Sequence, residues 1–334
     1  MVSQPGGSLN SSRKPKSLNN MPTVFITGAT GFIGRAVCTK MLENGWKVKG
    51  ALQETSRVNL LPVGVEGVYL GPIEICNFRD QDFVGVDVII HLAARVHIMG
   101  DQAVESLEAF RKVNVVGTER LARMAVKAGV KRFIFVSSVK VNGEGGACAY
   151  TENDPPAPQD AYAISKREAE DLLASISAET GIETLILRLP LVYGPGVKAN
   201  FSSLIKTIKA GLPLPFKGVN NRRSFIYLGN LVDAIIISIT HPLAAGQTFM
   251  VSDGQDISTA ELIKLIALAM NKKPVLFFLH PFILKALCNI IGKGEEMEKL
   301  TGTLIVDSSK IRKLLGWKPP FSLEEGIRET VKYL

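Results

Sequence analysis

An apolar run, Thr23-Val24-Phe25-Ile26-Thr27, leads into glycines at 28, 31 and 34, and an amphipathic pattern follows to about Asn44. This succession of strand, glycine turn and helix limits the fold more than any other feature of the chain. Glycines there permit a tight reversal, and they let backbone approach a pyrophosphate held at the helix N-terminus. The spacing departs from G-x-G-x-x-G. Alone it would also suit a tight βα turn with no ligand; at the head of an alternating domain it favours a dinucleotide.

The alternation continues. Lys47–Leu52, Gly67–Leu70, Asp87–Leu92, Arg132–Ser137 and Thr184–Leu189 read as strands, and helical patterns cover Leu107–Ala128 and Ala161–Glu179. Such a series predicts an α/β fold, a doubly wound parallel Rossmann sheet with helices on both faces. After Pro190 turn residues multiply and the alternation is lost. The expected division is a disordered basic tail at 1–20, an NAD(P)-binding domain at 21–189 and a smaller α/β substrate lobe at 190–334, with some chain crossing back.

The chain has 334 residues and a net charge of +8. Part of that charge lies in Arg13, Lys14 and Lys16 of the tail, and the tail lacks the apolar core of a secretory signal. The remainder suits an anionic ligand such as a nucleotide. No basic block interleaved with aromatics points to nucleic acid. Cys38, Cys76, Cys148 and Cys288 have no metal-ligand or redox spacing, so free thiols in a reducing cytoplasm and no metal site are expected. Val275–Ile291 is the greasiest stretch, but His280, Pro281 and Lys285 interrupt it. It falls short of the ~20 apolar residues of a spanning helix. It reads as a buried or pocket-covering helix, with resting on a membrane surface as the lesser alternative.

Tyr162 and Lys166 stand four apart, on one face if the segment is helical. A neighbouring ammonium favours phenolate and lowers a tyrosine's pKa, and a tyrosine so tuned can exchange a proton with a sugar hydroxyl. Tyr and Lys also meet at this spacing in solvated helices, and Ser138 taken alone would be a strand-end hydroxyl capping a turn. With Gly28/Gly31/Gly34, Ser137-Ser138 and Tyr162/Lys166 in this order, the chain resembles the extended short-chain dehydrogenase/reductase family of nucleotide-sugar epimerases, dehydratases and reductases. The resemblance covers roughly residues 22–334. It extends through His91-Leu92-Ala93-Ala94, Asn114-Val115-Val116-Gly117-Thr118, Arg188 with Val192-Tyr193-Gly194-Pro195-Gly196, and Leu315-Gly316-Trp317.

The resemblance implies that Tyr162 is the general acid/base, that Lys166 binds the nicotinamide ribose and tunes Tyr162, and that Ser138 hydrogen-bonds the reacting sugar oxygen. Cofactor contacts would come from Gly28, Gly31, Phe32, Ile33, Gly34, Arg35, Leu92, Ala93 and Ala94, besides Tyr162 and Lys166. Substrate contacts would come from Ser138, Asn200 and Arg223, with Lys140 either reaching the sugar or lying on the surface. His91 is expected to pack at the strand end, and neither it nor His97 as acid/base. The resemblance also implies a homodimer through the helices around 107–128 and 161–179.

Family dehydratases carry Asp-Glu where this chain has Val139-Lys140, so dehydration is not expected. The choice narrows to 4-keto reduction or 4-epimerisation of a UDP-sugar. The end of the second strand, Gly50-Ala51-Leu52-Gln53-Glu54, lacks an acid at the usual place for NAD, and Arg35 and Arg57 lie near. This favours NADP(H), with NAD(H) possible, although solvated surface arginines would read the same way. The string Ser137–Glu144 resembles the subgroup that reduces UDP-2-acetamido-2,6-dideoxy-xylo-hexos-4-ulose to UDP-N-acetylquinovosamine in O-antigen pathways. Reduction is therefore the leading expectation and a UDP-glucose or UDP-N-acetylglucosamine 4-epimerase the alternative. An inactive nucleotide-binding member is a third.

Overall fold

The computed structural model describes residues 21–75, 78–96, 106–280, 282–283 and 294–333. The tail 1–20, Cys76, His97, Cys288 and most of the apolar stretch beyond residue 280 lie outside the described residues. The strands are β1 (Thr23–Thr27), β2 (Lys47–Leu52), β3 (Glu66–Tyr69), β4 (Val88–His91), β5 (Arg132–Ser138), β6 (Glu183–Leu189), β7 (Leu191–Tyr193), β8 (Phe225–Tyr227) and β9 (Thr248–Met250). Seven of them form one sheet in the order β3-β2-β1-β4-β5-β6-β9, and every pairing in it is parallel. The Rossmann-type α/β architecture expected from the alternation is the one observed.

β1 and β4 are buried along their whole length, because helices cover both faces. Alternate residues serve opposite cores. Val24 and Ile26 pack with Val37 and Met41 of α1 (Phe32–Glu43). Phe25, Ile89 and Phe133 point the other way, onto Leu121 of α3 (Gly117–Lys127) and Leu173 of α4 (Ala161–Thr180). A short α2 (Leu107–Arg111) runs into α3 through a π-helical turn at Lys112–Val116.

From β1 the chain winds outward to β2 and β3, then returns to place β4 on the other flank of β1, with Thr27 level with His91. That reversal opens a crevice beyond the carboxyl ends of β1 and β4, where open parallel sheets bind ligands. β7 and β8 form a separate two-stranded sheet. Its Tyr193 and Phe225 share a second core with Phe201 and Ile205 of α5 (Ala199–Lys209), Ile263 of α7 (Thr259–Ala269) and Ile327. Between them lies α6 (Leu228–Thr240), which packs on the main sheet.

The expected helix over 275–291 is described only at 275–280 and 282–283, and the last two of these residues are helical. The described part of 275–291 begins as extended chain, with Val275 O accepting from Leu214 N (2.9 Å) and Phe277 N donating to Leu214 O (3.1 Å). Pro274 and Pro281 bracket it, and proline disfavours helix in the residue before it. Its phenylalanines are largely exposed rather than buried.

Candidate active site

The glycine turn is closed by contacts that a side chain would abolish. A Cβ on Gly28 (φ +68°) would stand 2.9 Å from Ala93 N, and one on Gly34 would stand 2.0 Å from Gly28 O. The first holds the turn against the loop Leu92-Ala93-Ala94, and the second seats α1 directly on it. Gly31 caps α1 without a side-chain acceptor, and the first turn holds no acid. The positive end of that helix therefore carries no acid of its own and suits an anionic ligand. Phe32 and Ile33 lean on the core, while Arg35 is exposed.

His91 ties this turn to its neighbours. Its Nδ1 lies 2.6 Å from Thr27 Oγ1 and its Nε2 2.9 Å from Thr118 Oγ1. Thr118 donates its hydroxyl hydrogen to Asn114 O (2.7 Å), so Nε2 must be the imidazole donor and Nδ1 the acceptor. Thr27 Oγ1 in turn accepts from Leu92 N and Ala93 N, both 3.2 Å. Burial, and then the charge of Lys166, hold the imidazole down to about 3. It is a neutral clamp with both nitrogens occupied, not a proton carrier. The π turn aims Asn114 at the same loop, where it accepts from Arg95 N (2.8 Å) and donates to Arg95 O (3.0 Å) and Ser165 Oγ (2.9 Å).

Ser138 ends β5 at this edge. Its Oγ accepts from Lys140 N (3.2 Å), capping the turn Val139–Val141 and leaving its hydrogen to donate elsewhere. Tyr162 and Lys166 occupy successive turns at the start of α4, whose N-cap Asp160 accepts from Ala163 N (2.6 Å). The Tyr162 ring is half-buried, edge-on to Phe110 at 6.3 Å. Lys166 is buried with its ammonium 3.9 Å from the centre of the Phe135 ring.

The expected tuning is reversed. Burial, with Asp160 adding to it, pushes the Tyr162 phenol up to about 12. Burial also brings Lys166 down to about 7, opposed by Glu170. Desolvation is the largest cause of both shifts. Lys166 Nζ has no hydrogen bond or salt bridge among the described residues. A buried ammonium is costly without oxygen acceptors, so a ribose diol fits there, as a pyrophosphate fits the glycine turn.

Behind these residues runs a buried polar network. Glu170, one turn beyond Lys166, accepts from Ser137 Oγ (2.5 Å) and from Arg188 Nη2 (2.6 Å) and Nε (3.1 and 3.2 Å). Arg188 Nη1 donates to Asn142 Oδ1 (3.0 Å). All four are at most 3% exposed. The network joins β5, β6, α4 and the 139–142 turn. Sequence reasoning noted Arg188 but missed Glu170, whose signal was its i+4 relation to Lys166.

The substrate-side residues divide. Lys140 Nζ donates to Asp160 Oδ2 (2.6 Å) and Glu144 Oε1 (2.7 Å). Lys140 is therefore not a freely solvated surface lysine: paired with two carboxylates, it joins the 139–141 turn to the cap of α4. Glu144 also bears on Arg223, whose burial lowers its pKa. Arg223 Nη1 donates to Gly302 O at 3.1 Å. Arg222 points outward to Asp256 at 3.4 Å. Asn200 lies in the first turn of α5, next to Phe201, which stacks on Tyr193 at 5.5 Å. At the end of β2, Arg57 Nε stands 3.8 Å from Glu54 Oε2 on the surface. Its charge is shared rather than held open for a 2′-phosphate.

The fold and this edge define a dinucleotide-dependent α/β enzyme. Residues 24–252 match the model of the NAD dependent epimerase/dehydratase family, and the chain belongs to that family. It is 40% identical to a UDP-glucose 4-epimerase of Vibrio cholerae, over 93% of this chain and 94% of that one. It is 27% identical to an N-acetyl-alpha-D-glucosaminyl-diphospho-ditrans,octacis-undecaprenol 4-epimerase of Escherichia coli O157:H7, over 93% and 94% of the two chains. Among solved structures it resembles the UDP-glucose 4-epimerase of Thermotoga maritima with UDP-glucose, with a TM-score of 0.74, 26% identity, and 93% and 98% of the chains covered. NAD, not the expected NADP(H), is the cofactor in the family's description.

Proposed function

We propose that the protein inverts C4 of a UDP-hexose, as a 4-epimerase working with bound NAD. The observation that carries the hydride chemistry is the buried ammonium of Lys166, without an oxygen acceptor among the described residues, one turn from Tyr162 and at the sheet edge that also holds Ser138. Epimerisation is preferred over net reduction because of the full-length similarity to the Vibrio cholerae enzyme.

Bound NAD would supply a reversible hydride acceptor for the sugar C4–H. The chain's own part is proton control at O4. Ser138 donates a hydrogen bond to O4. Tyr162 removes the O4 proton and returns it after the sugar has presented its other face. For this the phenol must fall from about 12. Lys166 is the means: when its ammonium gains hydroxyl acceptors its pKa rises from about 7, and a fully charged neighbour favours phenolate. Arg223 and Asn200 serve the diphosphate and uridine side.

The second reading is net reduction of UDP-2-acetamido-2,6-dideoxy-xylo-hexos-4-ulose. Asn142 favours it: it fills the place of the tyrosine in the Val-Tyr-Gly string typical of 4-epimerases, and here its amide bonds Arg188.

The test is one assay with both substrate sets, read by NMR at C4. Interconversion of UDP-glucose and UDP-galactose, or of their N-acetyl forms, without added reduced cofactor is the expected result. Stoichiometric NAD(P)H consumption with the 4-keto sugar and no epimerisation would replace this reading with reduction.

A further inference from the structure

The surface of the second layer carries a feature that C4 chemistry does not use. Residues 209–218 and 271–280 lie side by side, joined by the Leu214–Val275 and Leu214–Phe277 hydrogen bonds and by Lys217 N donating to Phe277 O (3.2 Å). Along this ribbon apolar side chains face water. Phe278 is 63% and Phe282 76% exposed, and Leu212, Val275 and Phe277 are exposed beside them. The Phe278 ring lies over Gly218, where a Cβ would come within 2.5 Å of it.

Within the two segments that carry this patch the charge is of one sign. Positions 198–217 and 262–283 together carry seven lysines and neither Asp nor Glu, in a chain whose net charge is +8. Lys206, Lys217, Lys272 and Lys273 are exposed and make no salt bridge among the described residues. Lys272 Nζ donates to the backbone oxygen of Lys209, which ties the cationic end of α5 to the ribbon. Among the described residues no helix is long and apolar enough to cross a membrane.

An aromatic centre flanked by exposed lysines matches one kind of partner: apolar rings enter the acyl boundary while ammonium groups meet lipid phosphates. A soluble protein partner would have to bring acidic groups around an apolar hole, and a second copy of this chain would set lysine against lysine. We propose that the ribbon Leu212–Gly218 with Val275–His280, together with Phe282 and Ile283, docks the protein on an anionic phospholipid surface, without spanning it.

Sedimentation of the full-length protein with vesicles tests this. Vesicles of phosphatidylcholine with phosphatidylglycerol should pellet it at low salt, phosphatidylcholine alone should not, and raised salt should release it, because the charges are screened. Lys217→Glu/Lys273→Glu and, separately, Phe278→Ser/Phe282→Ser should each weaken partitioning roughly tenfold or more, with thermal melting unchanged. Three results would overturn the proposal: protein that stays in the supernatant with anionic vesicles, double variants that bind like the parent, or a dimer by light scattering that the Phe278→Ser/Phe282→Ser change splits. The last would make the ribbon an interface between copies.

Discussion

Replacing Glu170 by Gln removes one charge from the network behind the site and keeps its shape. In the parent, the carboxylate faces Arg188 at 2.6 Å, with side-chain exposures of 2% and 4%. It also accepts from Ser137. A glutamine still offers one oxygen, but its NH2 would meet guanidinium hydrogens or the Ser137 hydroxyl. Arg188 keeps Asn142 as a neutral partner and is otherwise a buried, uncompensated charge. Breaking a buried pair from one side costs about 3–5 kcal/mol, most of it the stranded ion. The melting temperature should fall by roughly 4–7 °C. Adding Arg188→Met removes the stranded charge, so the double variant should be more stable than the sum of the single losses predicts, by about 1–3 kcal/mol. Thermal and urea unfolding of the four proteins measure this. The Glu170 variant should also lose turnover, since Ser137 adjoins Ser138 and Glu170 supports the charge of Lys166. A single variant within about 1 kcal/mol of the parent, or strict additivity, would refute the reasoning.

Four further outcomes are expected. Tyr162→Phe should lower kcat by about 10²–10⁴-fold while NAD still co-purifies, a split that cofactor absorbance and C4 turnover record together. Gly34→Ala drives a Cβ into Gly28 O, so it should cost about 1–3 kcal/mol in urea unfolding and weaken NAD binding in calorimetry. His91 is held near 3 in the fold, against ~6.5 unfolded, so the unfolded chain takes the proton first as pH drops. Stability is complete above pH ~6.5 and is lost towards pH 3, by roughly 4–5 kcal/mol at most; a His91→Asn variant should flatten that limb of a melting profile. Lys140→Met should cost about 1 kcal/mol and leave KM near the parent's value, whereas a KM raised tenfold at unchanged stability would return Lys140 to the substrate.

Much of this architecture was legible because parallel strands buried on both faces are written as continuous apolar runs. Val88–His91 and Arg132–Ser138 fall within a residue of their expected limits. The Gly28–Gly34 turn was legible for a steric reason: only glycine tolerates those approaches, so the sequence alone marks where a backbone must be close. The choice of Tyr162, Lys166 and Ser138 likewise came from order and spacing. What tertiary structure decided was electrostatic. Whether Lys166 lowers Tyr162 depends on how much water each has lost, and burial sends the two pKa values apart in a way that a spacing of four cannot encode. Glu170, Arg188 and Asn142 are far apart in the chain, and only the sheet brings them together. Lys140 looked free because its partners, Glu144 and Asp160, are carboxylates that the turn and the cap deliver from different directions. Periodicity and sterics are local and survive in one dimension; charge pairing and desolvation are sums over neighbours that exist only once the chain has folded.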